Sequence, residues 1–424
     1  MAQAATAIQP DVMVTADGTP LKASLARSLR RNKFRALLLV LPLFLFILVT
    51  FFLPIFDMLF RSVENEIVGT VLHRTVPLLA QWNERSSELP DEAVFAALAE
   101  DFKEASAAKT VGKVGRRLNY EKPGFSGLFR KTARKAKKPL IPPYKETFIK
   151  IDKKWGDVDY WRVIKRESVA YTVAYYVSAM DLSYGDSGEI IRKDQKKRIY
   201  LKLFWRTLWM STFITVMCLV LAYPISYLLS TLSVATSNLL LILVLLPFWT
   251  SLLVRTSAWI ALLQQEGIIN DILVWVGVVA NDDRLQMIHN RTGTIVAMIH
   301  VLLPFMVLPL YSVMKTIPPT YLRAARSLGA NQFTAFVRVY MPNTVSGIGA
   351  GCILVFILSI GYYITPALVG GQSGTLISNF IADHVLGSLN WGLAAALGTM
   401  LLVVVMVLYF LYDKIVGIDN MKLG

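Results

Sequence analysis

The sequence predicts an all-α integral membrane protein with six transmembrane helices. Of its 424 residues, 54% are hydrophobic and only 17% are charged, a composition too apolar for an ordinary soluble domain. It also contains six apolar runs of at least about 20 residues, the length that a helix needs to cross a bilayer core. Because lipid offers no hydrogen-bond partners to an open backbone, we expect every run to be helical.

The predicted spans divide the chain into six helices and the segments between them. The spans are residues 36–60, 204–229, 238–263, 292–313, 345–369 and 391–412. The predicted parts are a basic N-terminal segment 1–35, a first helix 36–60, an insertion 61–200, a five-helix core 201–412 with a loop at 314–343, and a tail 413–424. The first apolar run follows the basic stretch RSLRRNKFR, so we interpret it as a retained helix rather than a cleavable signal. The preceding LKASLARSLRR is either a surface amphipathic helix or a disordered tail.

Charge, cysteine usage and a missing motif argue against nucleic-acid binding, a cysteine pair and ATP binding by this chain. The net charge is +15, but most of it lies in 61–200 or beside span ends, so nucleic acid is not an expected partner. Cys218 and Cys352 fall inside predicted spans and are interpreted as packing residues, not as a disulfide or metal pair. The phosphate loop G-x-x-x-x-G-K-[ST] is missing from the sequence, so this chain is not expected to bind ATP in the usual way.

Loop charges predict the orientation of the spans. The N-terminal segment has six Lys and Arg residues in 22–35, and the loop 314–342 has four and no acid, so both are predicted to be cytoplasmic. The loops 264–291 and 370–390 are acidic on balance and are predicted outside, which leaves both termini inside. The insertion ends in RKDQKKRIYLK, a cytoplasmic signature, but long loops largely escape the rule. We therefore expect it outside; the opposite placement would put 314–342 outside.

The insertion is expected to contain small helices. Pro90 precedes Asp91 and Glu92, and the apolar residues that follow share one side of a helix: Val94, Phe95, Leu98 and Phe102. The cationic run RKTARKAKK and the breaker PLIPPY after it predict a loop. A solvated basic face and a docking surface for an acidic partner both remain open.

The loop 314–343 has the pattern of two short helices joined at a glycine. Thr320 is predicted to cap a helix that ends at Leu328, with Gly329 at the left-handed position after it. Asn331 is predicted to cap a second helix that ends at Pro342. The residues that share a face are Tyr321, Ala324, Ala325 and Leu328 in the first helix, and Phe333, Phe336, Val337 and Tyr340 in the second. An ordinary loop between spans is the alternative.

This loop resembles that of a known family. AARSLGANQFTAFVRVYMP is similar to the cytoplasmic "EAA" loop of permease subunits of binding-protein-dependent ATP-binding cassette importers. The stretches LPFWTSLLVRTSAWIALLQQEGIIN (246–270), LLPFMVLPLYSVMKTIPP (302–319) and ILVFILSIGYYITPALVGG (353–371) resemble spermidine/putrescine-type permeases. The resemblance implies a type I importer permease fold in a bacterial inner membrane. The long insertion and Arg323, which stands where the family has glutamate, depart from the pattern.

The resemblance also implies partners. It implies a second permease subunit, two cytoplasmic ATPase subunits that bind ATP and Mg, and a periplasmic solute-binding protein, with no cofactor on this chain. The implied ATPase-coupling residues are Tyr321, Arg323, Ala324, Ala325, Leu328, Gly329 and Ala330. Arg323 forfeits a capping box with Thr320, at about 0.3 to 1 kcal/mol, so the hairpin is expected to need its partner to become ordered. Ala325→Glu is predicted to uncouple ATP hydrolysis from uptake.

Aromatic and basic side chains in the spans are candidates for the translocation pathway. They are Trp249, Arg255, Trp259, Tyr362 and Tyr363. Cation-π contact suits a polyamine, although aromatic packing is the alternative for each ring, Arg255 is also a candidate for a subunit interface, and His300 is interpreted as a packing residue. An ion-coupled secondary transporter would be expected to carry paired carboxylates in its spans. The other alternative is a membrane-anchored sensor with 61–200 as its ligand domain.

Overall fold

The computed structural model describes residues 21–185 and 188–416. Residues up to Phe60 belong to one compact unit, and residues from Arg61 belong to a second. The predictions for residues 1–20 of the basic N-terminal segment and for 417–424 of the tail lie outside the described residues. Within the described part, helices account for nearly all regular structure.

The first unit is a single apolar helix with a local irregularity. Helix α1 spans Leu21–Ile47, a π-helical turn spans Leu48–Phe52, and α2 spans Leu53–Arg61. Its apolar side chains are exposed, Leu39 by 83%, as expected of a surface that faces lipid. The helix predicted at 36–60 is confirmed. The backbone from Leu21 is continuous with it, so the separate surface helix and the disordered tail are both wrong for 21–35.

The segment ahead of the next span, residues 61–199, is here called the hydrophilic domain. Its helices are α3 Glu66–Val71, α4 Thr75–Gln81, α5 Glu92–Ala107, α6 Val111–Glu121, α7 Phe125–Lys135, α8 Tyr144–Ile151, α9 Val158–Arg166 and α10 Ala174–Ala179, with 3-10 turns at Lys153–Gly156 and Gln195–Lys197. Strands β1 Leu182–Tyr184 and β2 Ile190–Arg192 pair antiparallel, with Ser183 opposite Ile191.

An aromatic core holds the hydrophilic domain together. Its largest fully buried side chains include Phe95, Phe102, Phe129, Phe148, Trp155 and Trp161. The helix predicted after Pro90 is confirmed as α5, with all four predicted apolar residues buried. The loop predicted over RKTARKAKK is wrong for 130–135, which lie in α7. Phe125, Leu128 and Phe129 bury one side of that helix, so its cations occupy the other side.

The second part of this unit is a helical bundle. It comprises α11 Tyr200–Thr231, α12 Val234–Leu245, α13 Leu252–Leu263, α14 Ile268–Trp275, α15 Arg291–Thr316, α16 Pro319–Ser327, α17 Gln332–Ala335, α18 Met341–Asn343, α19 Val345–Gly361, α20 Ile364–Val369, α21 Gly371–Gly374, α22 Ile377–Leu386 and α23 Trp391–Val416. Two 3-10 turns at Leu246–Trp249 and Asn281–Asp283 and a π-helical turn at Phe336–Tyr340 complete it. Its core lies between α11, α15 and α19, around residues such as Met210, Met298 and Met306.

Two bends interrupt the apolar helices of the bundle. Among the described residues, four helices are long and apolar enough to cross a membrane, and the count is six if each bent pair is one span. The straight ones are Ser28–Arg61, Tyr200–Thr231, Arg291–Thr316 and Trp391–Lys414. The bent pairs are Val234–Trp249 with Leu252–Trp275, at 96°, and Gln332–Asn343 with Val345–Gly361, at 60°.

The predictions of continuous helix over 238–263 and 345–369 are wrong, the first at the 96° bend and the second at a break between Gly361 and Ile364. The first breaks after the 3-10 turn that contains Pro247, and Thr250 and Ser251 are outside the helix. The second ends at Gly361, where Tyr362 takes an extended backbone. Hydropathy is insensitive to such breaks, because apolar residues continue on both sides. Three other prolines, Pro224, Pro304 and Pro309, lie inside unbroken helices.

The hydrophilic domain and the loop 314–343 lie at opposite ends of α11. The Asp181 carboxylate accepts hydrogen bonds from the backbone N–H groups of Ile199, Tyr200 and Leu201, at 3.0, 3.1 and 2.9 Å. At the other end, Tyr227 packs against Phe336. A helix of 32 residues is about 48 Å long, which exceeds the roughly 30 Å of a bilayer core. The two elements are thus separated by a full membrane span.

A hydrogen-bonded chain links the hydrophilic domain to α22 through a histidine. The Tyr120 hydroxyl donates to the Ser388 carbonyl at 2.6 Å, and His384 bonds the Ser388 hydroxyl and the Tyr200 hydroxyl, both at 2.9 Å. Burial lowers the pKa of His384 below its ordinary value, and the nearby negative charge of Asp383, which raises the pKa, offsets only part of this shift. The folded protein therefore holds fewer protons here than the unfolded chain in mildly acidic solution.

This lowered pKa predicts an acid sensitivity. The contribution of His384 to the stability of the folded protein is complete above the ordinary histidine pKa of about 6.5. It is lost as the pH falls through the lowered pKa of His384 in the folded state. We expect the thermal midpoint of the purified protein to fall between pH 7 and pH 5.5, and to fall less in His384→Gln. Calorimetry across that range measures both slopes. Equal slopes would show that His384 does not contribute.

Candidate functional site

The first helix of the predicted hairpin begins earlier than expected. Helix α16 starts at Pro319, so Thr320, predicted as its cap, is a helical residue and that prediction is wrong. Proline suits a first helical position, since it has a fixed φ and no N–H to satisfy. Arg323 is consequently the fifth residue of the helix and exposed. The capping-box penalty predicted for Arg323 does not arise.

The turn at Gly329 is as predicted. Gly329 has φ +88° and its N–H donates to the Arg326 carbonyl at 3.0 Å, while the Ala330 N–H donates to the Ala325 carbonyl at 3.1 Å. This pair of bonds is the Schellman motif, which closes a helix through a left-handed residue. The turn is therefore formed within the hairpin itself.

The second helix of the hairpin begins as predicted but ends later. The Asn331 side chain accepts the Thr334 N–H at 2.7 Å, which confirms the cap. Pro342 does not end the helix, since α18 runs to Asn343 and α19 follows after the 60° bend. A π-helical turn precedes Pro342, and such turns accommodate a local break in the hydrogen-bond ladder. The hairpin thus continues directly into a membrane helix.

Substitution of Gly329 tests the turn. A Cβ there would meet nothing within 4 Å, so Gly329→Ala costs only backbone strain, about 1 kcal/mol, and Gly329→Val costs more. We expect hydrogen exchange of residues 319–343 to accelerate about fivefold in Gly329→Ala. Gly127→Ala in α7, also in open space and without a positive φ, should leave exchange in its own helix unchanged or slower. Unchanged exchange in Gly329→Val would contradict the turn.

The hairpin presents apolar side chains to solvent. Leu328 is 89% exposed and Phe333 76%, and Tyr321 is about half exposed. Ala324 is exposed, whereas Ala325 and Ala330 are half-buried. The face predicted for partner contact is thus accessible, with its largest apolar groups on either side of Gly329.

An aromatic clamp joins the hairpin to α11; we use this name for Tyr223, Tyr227, Phe336 and Tyr340. The Tyr227 ring lies 5.3 Å from both Phe336 and Tyr340, edge to face, and Phe336 stacks on Tyr340 at 5.5 Å. Tyr223 completes it, 6.2 Å from Phe336. Aromatic pairs at such spacings stabilise beyond their buried area. Movement of the hairpin would therefore be transmitted to the end of α11.

Three of the candidate pathway residues converge. Arg255 and Trp259 are one turn apart on α13, and the Trp259 Nε1–H donates to His300 Nδ1 at 3.1 Å, which confirms His300 as a packed, hydrogen-bonded residue. Arg255 lies within electrostatic range of His300 and Tyr362. Its Nε and Nη1 are buried and have no hydrogen-bond partner among the described residues.

The convergence occurs where the two helix breaks meet. The Thr256 and Thr365 hydroxyls lie 3.4 Å apart, joining α13 to α20. Side chains of α22 satisfy the carbonyls freed at the second break: Ser378 donates to Tyr362 and Asn379 to Tyr363, both at 2.7 Å. Non-helical backbone at membrane depth persists only where protein or a cavity satisfies it.

The remaining candidates lie apart from this group. The Trp249 side chain is 71% exposed and that of Tyr363 41%. In the described part of the chain, no hydrogen bond or ring contact joins either side chain to Arg255 or Trp259. The polar residues at the breaks were missed by sequence reasoning, namely Thr256, Thr365, Ser378 and Asn379. The available signal for Thr256 and Thr365 was their polar character inside apolar runs, whereas Ser378 and Asn379 lie in 370–390, which was predicted to be a loop.

These features define a class of protein: a multi-pass helical membrane protein with broken helices in its bundle and a helical hairpin at one end. Residues 200–417 match the family described as the binding-protein-dependent transport system inner membrane component. The chain belongs to this family, and it is therefore a permease component of a transport system in the inner membrane. The match begins at the first residue of α11, after the hydrophilic domain.

Two curated relatives show the extent of the similarity. The spermidine/putrescine transport system permease protein PotB of Haemophilus influenzae is 36% identical over 224 residues, covering 53% of this chain and 78% of that protein. PotB of Escherichia coli K12 is 34% identical over 224 residues, covering 53% and 81%. Among solved structures, a bacterial ABC transporter involved in the import of the acidic polysaccharide alginate aligns with a TM-score of 0.45 at 18% identity, covering 53% of this chain and 80% of that one.

Proposed function

We propose that this chain is the permease subunit of an ATP-driven importer that carries a polyamine or a related small organic cation from a periplasmic binding protein into the cytoplasm. Its partners are a second permease subunit, two cytoplasmic ATPase subunits that bind ATP and Mg, and the binding protein. The observation that carries the proposal is the hairpin 314–343, which exposes apolar groups at its tip and is clamped to a membrane helix at its base. The relatives named for spermidine and putrescine transport support the choice of substrate.

In this mechanism the hairpin acts as a lever. The ATPase subunits bind the exposed face around Leu328, and their closure on ATP moves the hairpin as a body. The aromatic clamp and the direct run from α18 into α19 pass that movement to two membrane helices. A population shift from 1:99 to 99:1 between inward-open and outward-open states needs about 5.5 kcal/mol of differential interaction. The contacts of the hairpin tip with the ATPase and of the aromatic clamp with α11 must therefore both be strong enough to carry this free energy.

The proposed orientation uses the separation of the two ends of α11, which places the hairpin and the hydrophilic domain on opposite sides of the membrane. We assign the hairpin end to the cytoplasm and the hydrophilic domain to the periplasm, with both termini cytoplasmic. The acid-free charge of the loop 314–342 and the positive-inside rule support this assignment. The basic stretch RKDQKKRIYLK then lies at the periplasmic end. The positive-inside rule does not determine its side, because the segment that precedes it is long.

The aromatic rings near the helix breaks are the candidates for contact with a cationic solute. Trp259 and Tyr362 offer ring faces that bind ammonium groups by cation-π interaction. Arg255 carries a positive charge and would repel such a solute. We therefore assign Arg255 to the pairing surface with the second permease or to holding the breaks together, and substrate selection chiefly to the binding protein.

Reconstitution tests this function. The complete complex, placed in proteoliposomes, should accumulate labelled spermidine only when ATP is present on the hairpin side and the binding protein on the other. Unlabelled putrescine should compete. Uptake driven by a proton or sodium gradient without ATP would contradict the mechanism. ATP-dependent uptake of a different solute, with no competition by polyamines, would overturn the substrate alone.

A further inference from the structure

A cleft in the hydrophilic domain carries only positive charge. It lies between the end of α5, the start of α6 and one side of α7, with a volume of about 330 Å³. Five cations line it: Lys109, Arg116, Arg130, Arg134 and Lys137. None of the described residues that line it is acidic. Five like charges around one concavity repel each other and raise the local positive potential.

The cations of the cleft differ from several others in the same domain, which form ion pairs. Elsewhere, Arg74 pairs with Glu104 at 2.8 Å and Lys131 with Asp152 at 3.2 Å, and the buried Arg117 pairs with Glu121 at 2.8 Å. Lys122 and Arg162 both pair with Asp159. Across the described residues, none of the five cleft cations has a carboxylate oxygen within 4.0 Å. The cleft thus brings together, around one concavity, five cations without a carboxylate partner among the described residues.

Neutral donors complete the site. Ser106, a half-buried residue, lines the cleft, and its buried hydroxyl has no hydrogen-bond partner among the described residues. Val111 and Gly112, the first residues of the 11-residue α6, also line it, and N–H groups at this position have no partner within the helix. A helix N-terminus with free N–H groups attracts anions. The space beside Gly112 is open.

We propose that this cleft binds a phosphate-bearing anion. Guanidinium forks and ammonium groups together match the oxygens of a phosphate group and its multiple negative charge. All residues that line the cleft belong to α5, α6, α7 and their connections, away from the helix breaks of the bundle, so the inference does not depend on the proposed substrate. The phosphate is supplied either by a soluble phosphate ester or by the headgroup of an anionic phospholipid.

Two probes on the purified full-length chain test the site. Inorganic pyrophosphate is titrated by calorimetry in neutral detergent, and binding of phosphatidylglycerol is measured by native mass spectrometry against phosphatidylcholine. The cleft variant is Arg130→Glu with Arg134→Glu. The control is Arg85→Glu with Lys153→Glu, which reverses two exposed charges of the same domain outside the cleft. Arg130→Gln with Arg134→Gln gives a milder change should the charge reversal lower the melting temperature.

The wild-type chain should bind at least one probe saturably. Loss of charge-assisted hydrogen bonds should weaken that binding at least about tenfold in both cleft variants, and the control should bind as the wild type does. Binding of pyrophosphate identifies a soluble ester, and binding of phosphatidylglycerol alone identifies a lipid headgroup. Binding of neither probe, or equal weakening in the control, would overturn the proposal.

Discussion

Leu328→Glu should abolish coupled uptake while leaving the permease folded. The side chain is 89% exposed, so the charge costs this chain little by itself. In the proposed complex, the same position is buried against an ATPase subunit. Replacing a buried leucine loses about 1.5 to 3 kcal/mol and adds the cost of burying a carboxylate. Co-purification of the ATPase and spermidine uptake should each fall at least about tenfold.

The control for this variant is Val169→Glu, which places the same charge on a half-exposed apolar residue of the hydrophilic domain. It should bind the ATPase and transport as the wild type does. Leu328 is a sharper test than Ala325, because Ala325 is half-buried and its carbonyl belongs to the Schellman turn. Ala325→Glu would disturb the hairpin as well as its surface. Normal uptake by Leu328→Glu would show that the tip is not the docking surface.

The double variant Phe336→Ala with Tyr340→Ala should separate ATPase binding from transport. It empties the aromatic clamp, in which Tyr340 is 5% exposed; truncating a buried aromatic costs about 3 to 5 kcal/mol. The exposed tip is unchanged, so the ATPase subunits should still co-purify and hydrolyse ATP. Uptake should fall at least about tenfold, since the hairpin no longer moves α11. Parallel assays of ATP hydrolysis and of spermidine uptake measure the ratio of uptake to hydrolysis.

Phe336→Leu with Tyr340→Phe is the matched control, since it keeps most of the apolar volume while it replaces the Phe336 ring and removes the Tyr340 hydroxyl, which lies 3.4 Å from Ser230. It should recover most of the uptake. If the alanine variant kept its wild-type ratio of uptake to hydrolysis, the clamp would have no part in transmission. If it lost the ATPase altogether, docking would extend to the base of the hairpin.

The parts of the hairpin that were predictable depend on local chemistry. Gly329 and Asn331 act on backbone groups within a few residues of themselves, so their types and spacing were sufficient. Thr320 was misassigned because Pro319 competes for the same helix start. The sequence predicted only half of the aromatic clamp. Phe336 and Tyr340 were expected on one face, but their partner Tyr227 is about a hundred residues earlier in the chain, so their contact with it could not be predicted.

The helix breaks illustrate the same limit within the bundle. The break at Tyr362 is satisfied by Ser378 and Asn379, 16 residues further on, and no periodicity in the run itself marks it. The hydrophilic domain also depends on contacts between residues that are far apart in the sequence. Its buried Arg117 forms hydrogen bonds with Asn65 and Glu167, 52 and 50 residues away. Apolar runs predicted where helices lie, whereas pairing across the fold determined where they stop and bend.

Cross-linking from a cysteine at the hairpin tip tests the central claim most directly. Leu328→Cys and Val169→Cys place single exposed thiols at opposite ends of α11, and the native Cys218 and Cys352 are buried and half-buried in the bundle. In membranes that contain the whole complex, a bifunctional thiol reagent should join Leu328→Cys to an ATPase subunit and leave Val169→Cys unlinked to it. A cross-link to the ATPase from Val169→Cys, with none from Leu328→Cys, would contradict both the lever and the orientation.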